Sequence, residues 1–232
     1  MHSGCQNRQQ LAKIDFENIS LRVGSSNIRP TSKVKNLGVF FDQKNTFNSQ
    51  INSICSKSRF QLRRIHQIKQ YLTPTIRESM VHAFITSNID YCNSLYFGLP
   101  KYQIQKLQRL QNSAARLIFN ENKYCHITPL LKDLHWLPVE SRIKYKILTL
   151  TYKSLNGMDS NSLKDQIKPY HPRRNLRSQN QQLLIIPQTG SRSIFHAAPE
   201  LWNSLPLTIR NASSLTIFQG RLKTYFFEKH FS

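Results

Sequence analysis

The stretch Tyr102-Gln103-Ile104-Gln105-Lys106-Leu107-Gln108-Arg109-Leu110-Gln111-Asn112-Ser113-Ala114-Ala115-Arg116-Leu117-Ile118-Phe119-Asn120 decides the fold. Ile104, Leu107, Leu110, Ala114 and Leu117 recur at three- and four-residue intervals, which places them on one stripe of a helix. Lys106, Arg109, Asn112, Ser113 and Arg116 fall largely off that stripe. A helix over 102–120 follows, apolar on one face and cationic on the other.

The same period extends in both directions. On the C-terminal side, Thr128-Pro129 opens a short helix that ends near His135-Trp136-Leu137-Pro138, with Trp136 packed in the core. The alternative for Trp136 is stacking on a base. Val139 to Leu155 is helical through Ile143, Ile147 and Leu150, and Gly157 stops it. On the N-terminal side, Phe47 to Leu72 carries Ile51, Cys55, Leu62, Ile65 and Leu72 at helical spacing. Lys57, Arg59, Arg63, Arg64 and Lys69 lie between them. Thr73-Pro74 restarts a helix, with Thr as cap and Pro in the first turn, and Thr75-x-x-Glu78 offers an alternative capping box. Ile76, Met80, Phe84 and Leu95 extend that helix toward Gly98-Leu99-Pro100.

Outside this body the pattern changes. Ile19, Leu21 and Val23 alternate with Ser20 and Arg22, the period of a half-buried strand. Gly24-Ser25-Ser26-Asn27 supplies a turn, and Ile28 resumes after it. Val34, Leu37, Val39 and Phe41 around Gly38 predict a second strand, hence a small hairpin or sheet edge. Pro169, Pro172 and Pro187 interrupt the C-terminal third around a short strand at Leu183–Ile186. A short helix follows around Leu201-Trp202. Ser214 caps a final helix with Leu215, Phe218, Leu222 and Phe226 inward. The expectation is a mainly α protein. Residues 1–42 form a tail and small N-terminal β hairpin, 43–157 the helical body, and 158–232 a less regular third with a Pro/Arg-rich connection and terminal helices.

Charge narrows the function. The chain has 232 residues, with 33 Lys and Arg against 12 Asp and Glu, a net charge of +21. Such a surface repels itself until a polyanion neutralises it. Nucleic acid is the leading partner, as RNA, DNA or a hybrid, with an anionic membrane surface as rival. Lys57, Arg59, Arg63, Arg64 and Lys69 form one candidate patch, with few compensating acids nearby. Arg109 and Arg116 add a second. Arg173, Arg174 and Arg177 beside Tyr170 read either as a clamp on a backbone or as a basic linker. The longest apolar runs fall far short of the roughly 20 residues a spanning helix needs. No secretion signal opens the chain, so an intracellular protein is expected, nuclear or cytoplasmic.

Catalytic signatures are scarce. Polymerases and nucleases of the two-metal type need converging carboxylates, yet no Asp-Asp pair or D-x-D occurs. Asp15 and Glu17 read as solvated. No phosphate-binding glycine loop or nucleophile elbow is present. Cys5, Cys55, Cys92 and Cys125 form no C-x-x-C pair and read as free thiols. Cys125-His126 lacks further ligands nearby. No metal, no cofactor and no catalytic residue are expected.

Several segments nonetheless form an ordered series. They are Lys35-Asn36-Leu37-Gly38-Val39-Phe40-Phe41-Asp42, Asp90-Tyr91-Cys92-Asn93-Ser94-Leu95, and Leu107-Gln108-Arg109-Leu110-Gln111-Asn112-Ser113-Ala114-Ala115-Arg116-Leu117-Ile118. Leu134-His135-Trp136-Leu137-Pro138-Val139 with Arg142-Ile143 comes next. Arg173-Arg174-Asn175-Leu176-Arg177-Ser178 and Ala198-Pro199-Glu200-Leu201-Trp202-Asn203-Ser204-Leu205-Pro206 complete the series. Together they resemble the C-terminal part of reverse transcriptases from non-LTR retrotransposons of the chicken-repeat and jockey-like type. The resemblance implies that residues 1–42 are the end of a palm, 43–157 a thumb that holds template and primer, and 158–232 a C-terminal extension. The family's catalytic carboxylates belong to earlier palm motifs, which have no counterpart here. It therefore implies a non-catalytic, nucleic-acid-binding fragment, with the rest of an element-encoded polymerase as protein partner. The alternative is an orphan element-derived protein with structural or protein-interaction properties only.

Overall fold

Where the chain can reverse direction sets its N-terminal strands. The computed structural model describes residues 20–158, 165–170, 181–188 and 192–231. Two compact units are present, divided between Ser49 and Gln50. In the first, β1 (Leu21–Val23) pairs antiparallel with β2 (Ser26–Ile28), and β3 (Lys33–Asn36) with β4 (Val39–Asp42). Two hairpins thus replace the single one expected. The second turns on Leu37 and Gly38, at φ of 46° and 83°. A two-residue turn with both central residues in the left-handed region matches the twist of the flanking strands. Leu37 is consequently a turn residue, 83% exposed, and not part of a strand's apolar face. Leu21 and Val23 are exposed as well, so β1 is not the half-buried strand its alternation suggested.

Asp42 ends β4 by gathering the next turn. Its carboxylate accepts from the Thr46 amide at 2.9 Å, the Phe47 amide at 2.9 Å, the Lys44 amide at 3.2 Å and the Thr46 hydroxyl at 3.0 Å. These bonds, the Thr46 amide foremost, hold the carboxyl below its usual value against the opposing effect of burial.

Helix α1 (Asn48–Ile68) follows, and Ile51, Ile54, Cys55, Ser58 and Ile65 form its buried face. It stops short of Leu72, closing in a 3₁₀ turn over Lys69–Tyr71. Thr73 then caps α2 (Pro74–Val81), its hydroxyl accepting from the Ile76 amide at 3.4 Å, and Pro74 sits in the first turn. The helix widens into a π turn over His82–Thr86 and continues as α3 (Ser87–Asp90).

The buried face of this helix is not the expected one. Arg77, Val81, Ile85 and Ile89 are buried, whereas Ile76, Phe84 and Leu95 are exposed. Residues four apart advance by about 40° per step on an ideal α-helix, so such a row drifts off its face. A wider turn takes up the drift and keeps the row on the core. The helix ends at Asp90, and Cys92 at φ 52° turns the chain into a 3₁₀ segment, Asn93–Tyr96.

Helix α4 (Lys101–Phe119) carries the stripe read from the sequence. Leu107, Leu110, Ala114 and Leu117 are buried, joined by Gln103, Gln111, Ala115 and Ile118. Asn120 ends the helix in the left-handed region at φ 59°. Its glutamines organise the next turn. Gln111 Nε2 donates to the Leu137 carbonyl at 2.9 Å, and the Val139 amide donates to Gln108 Oε1 at 2.9 Å. Buried Arg77 donates through one terminal nitrogen to the Leu117 carbonyl at 3.2 Å, satisfying an end-of-helix acceptor.

After α5 (Ile127–Asp133) the buried Trp136 precedes α6 (Val139–Leu155). Then come α7 (Ile194–Asn203), α8 (Leu207–Arg210) and α9 (Leu215–Phe231). Ser214 Oγ accepts from the Ile217 amide at 3.3 Å, as a cap should. Phe218, Leu222 and Phe226 face inward. Both α7 and α9 pack on α6, so 50–232 is one unit and no division between compact units falls at 157. Tyr152 and Trp202 flank Phe218 at centroid distances of 4.4 and 5.8 Å. Leu183–Ile186 is not a strand of a sheet. It contributes one antiparallel bridge, Pro169 to Leu184, and Asn203 holds Leu184 through its amide at 2.8 Å and its carbonyl at 2.9 Å.

The buried row that runs through α2 and the π turn has a measurable consequence. Ile85→Ala, at a fully buried position, is expected to cost about 2–5 kcal/mol in urea unfolding. Ile76→Ala, on the exposed side, should change stability by about 0.5 kcal/mol or less.

Candidate nucleic-acid interface

The cationic residues of α1 sort by angle. At about 100° per residue, Arg59 and Arg63 lie on one flank of the exposed face and Arg64 and Lys57 on the other, within an arc of about 160°. Phe60 falls between the flanks and is 53% exposed. The Arg64 guanidinium lies 5.7 Å from the Phe60 ring centroid. The sequence reading passed over Phe60, although its i, i+4 spacing to Arg64 was in view. Lys69, in the 3₁₀ turn, is half-buried and lies beyond this face.

Helix α4 presents a matching surface. Tyr102, Lys106, Arg109 and Ser113 share its outer side, and Lys106 lies 5.8 Å from the Tyr102 ring. Lys106 Nζ donates to Asn52 Oδ1 at 3.2 Å, joining the outer side of α4 to the first turns of α1. Burial pushes the Cys55 thiol up, and Arg59 and Lys106 both oppose it. Both cations thus act on one buried sulfur, and the Lys106–Asn52 bond joins the two helices at their exposed sides. Lys106 and Tyr102 lie on the same candidate surface as Arg109, whereas the sequence singles out only Arg109 and Arg116 on this helix as binding candidates.

Electrostatics set these surfaces apart. Neither α1 nor α4 contains an acidic residue. Among the described residues, carboxylates pair only with His82, Arg142, Lys144 and His196. Lys57, Arg59, Arg63, Arg64, Lys69 and Arg109 thus have no carboxylate of the described residues within ion-pair distance. Cations stripped of counter-charge and interleaved with aromatic rings suit a phosphate backbone with bases that stack.

Arg116 departs from the expected role. Its Nε and a terminal nitrogen donate to the Cys125 carbonyl at 3.2 and 3.0 Å, tying the 120–126 loop to α4. It is a half-buried structural residue. Arg173, Arg174 and Arg177 lie outside the described residues. Among the described residues no three His, Cys, Asp or Glu side chains come together as a metal site, and Cys55, Cys92 and Cys125 are free thiols. Among them, too, no helix is long and apolar enough to cross a membrane. No family model, curated protein or solved structure matches the chain.

Arg116→Ala should therefore lower stability by about 1.5–3 kcal/mol, the range for bonds to a charged group. It should leave the salt dependence of nucleic-acid binding unchanged, which paired thermal melts and binding titrations would read.

Proposed function

We propose that this chain binds the phosphate backbone of nucleic acid through the outer faces of α1 and α4, as a non-catalytic, thumb-like piece of a retrotransposon-type reverse transcriptase. The carrying observation is the row Arg59, Arg63, Arg64 and Lys57 around Phe60, which no carboxylate of the described residues pairs with. Phosphates supply the missing charge, and Phe60 and Tyr102 supply flat apolar surfaces for bases. Contacts of this kind position a duplex without reading its sequence. The ordered motifs described above support the polymerase assignment, and an element-encoded polymerase carrying the catalytic carboxylates is the protein partner this reading implies.

Binding of the full chain to a short RNA–DNA hybrid, titrated across salt, tests the reading. Each neutralised phosphate contributes about 0.9 to the log–log slope on duplex DNA, so Arg59→Gln, Arg63→Gln and Arg64→Gln together should reduce the slope by roughly two to three. Affinity and slope both unchanged would remove α1 from the interface. The non-catalytic half of the proposal has its own assay. Primer extension with purified chain and Mg²⁺ should give no template-dependent product, and product that rises with chain concentration through successive purification steps would overturn it.

A further inference from the structure

A second site lies on surfaces that the α1–α4 interface does not use. The end of α3, the turn at 134–137, α6 and α9 enclose a cavity of about 390 Å³. That is within the size range of small-ligand sites, about 300–1,000 Å³.

Its polar wall begins with a fixed ion pair. Arg142 donates through Nε to Asp90 Oδ1 at 2.8 Å and through a terminal nitrogen to Asp90 Oδ2. The same carboxylate accepts from Asn93 Nδ2 at 3.4 Å. A carboxylate cannot donate, so this contact settles which way the Asn93 amide points. Asn93 Oδ1 is the end left over. It is buried, in a residue 3% exposed on the cavity wall, and it has no hydrogen-bond partner. An acceptor in that position is costly until a donor reaches it.

The opposite requirement comes from the rim. Asp90 neutralises Arg142, which leaves Lys146 and Lys223 as the uncompensated cations lining the cavity. Two positive charges match a phosphate monoester, which carries about −1.5 to −2 at neutral pH. Leu134, Leu137 and the small exposed part of Trp136 supply the apolar part of the wall. Inorganic phosphate answers the lysines but offers no apolar body to that wall. An apolar ligand leaves both ends unanswered.

We propose that this cavity binds a nucleoside 5′-phosphate. Its phosphate sits on Lys146 and Lys223, its base lies against the apolar lining of Leu134, Trp136 and Leu137, and an N–H or O–H of the nucleoside donates to Asn93 Oδ1. The ligand is a free mononucleotide or the 5′-phosphorylated end of a strand, which share this chemistry. The site stands apart from the backbone interface, because it shares none of its residues.

Calorimetric titration of the full chain with each common ribonucleoside 5′-monophosphate is the test. Saturable binding is expected, weakened about tenfold or more by Lys146→Gln with Lys223→Gln. Both lysines are exposed, so that variant should keep its helical circular dichroism. Asn93→Leu should weaken nucleotides by a similar factor. If that buried change prevents folding, the lysine pair still decides the matter. The Arg59, Arg63 and Arg64 triple variant should bind mononucleotides normally, which separates failure of this site from failure of the backbone interface. Competition by a 5′-phosphorylated oligonucleotide, and not by its 5′-hydroxyl form, assigns the site to strand ends. Mononucleotide binding without such competition assigns it to free nucleotides. The proposal falls if no nucleotide binds, if the lysine variant binds undiminished, or if ribose 5-phosphate or inorganic phosphate binds as tightly as the nucleotides.

Discussion

Helix α4 is the constraint on which the second unit depends. Leu107, Leu110, Ala114 and Ile118 face the core, and the polar side chains among them are spoken for. Gln111 holds the Leu137 carbonyl and Gln108 the Val139 amide, so the turn that launches α6 is fixed by α4. Arg77 reaches across to the far end of α4 and meets the Leu117 carbonyl. Burying an amide or guanidinium costs less where it finds such a partner. These bonds therefore specify how neighbouring elements join α4 as well as stabilising them.

Helix α4 also carries part of the outer surface. Lys106 on that side donates to Asn52 in the first turns of α1. The charge on these faces is not self-neutralised, and +21 over the chain makes the repulsion general. A protein gains nothing in stability from cations left without counter-charge. Under the proposed function, their placement beside exposed Phe60 and Tyr102 serves a ligand with both negative charge and flat apolar rings. Arg116, of the same residue type and on the same helix, is used differently because a backbone carbonyl lies within its reach.

What could be read from the sequence was mostly local. The α4 stripe, the Thr73-Pro74 start of α2, the Ser214 cap and the inward Phe218, Leu222 and Phe226 depend on neighbours in the chain. Which face of α2 meets the core is not local: the row of Ile76 and Met80 and the row of Arg77 and Val81 are equally regular, and tertiary packing buries the second. Leu37 was misread because its turn role comes from the Gly38 beside it and the strand pairing across it. In the site, Arg59, Arg63, Arg64 and Lys57 were legible as residues without acidic neighbours. The part played by Lys106 was not, since Asn52 lies 54 residues away in sequence. The cavity at Asn93 was equally hidden, being built from four segments that meet only in the folded chain.

The most direct check on the central claim is to map where nucleic acid touches the protein. Full-length chain would be photo-crosslinked to an RNA carrying a photoreactive uracil, digested, and read by mass spectrometry. The account predicts adducts on the α1 segment around Phe60 and the α4 segment around Tyr102, lost as salt is raised. Adducts confined to other segments, or none at low salt from folded protein, would contradict it.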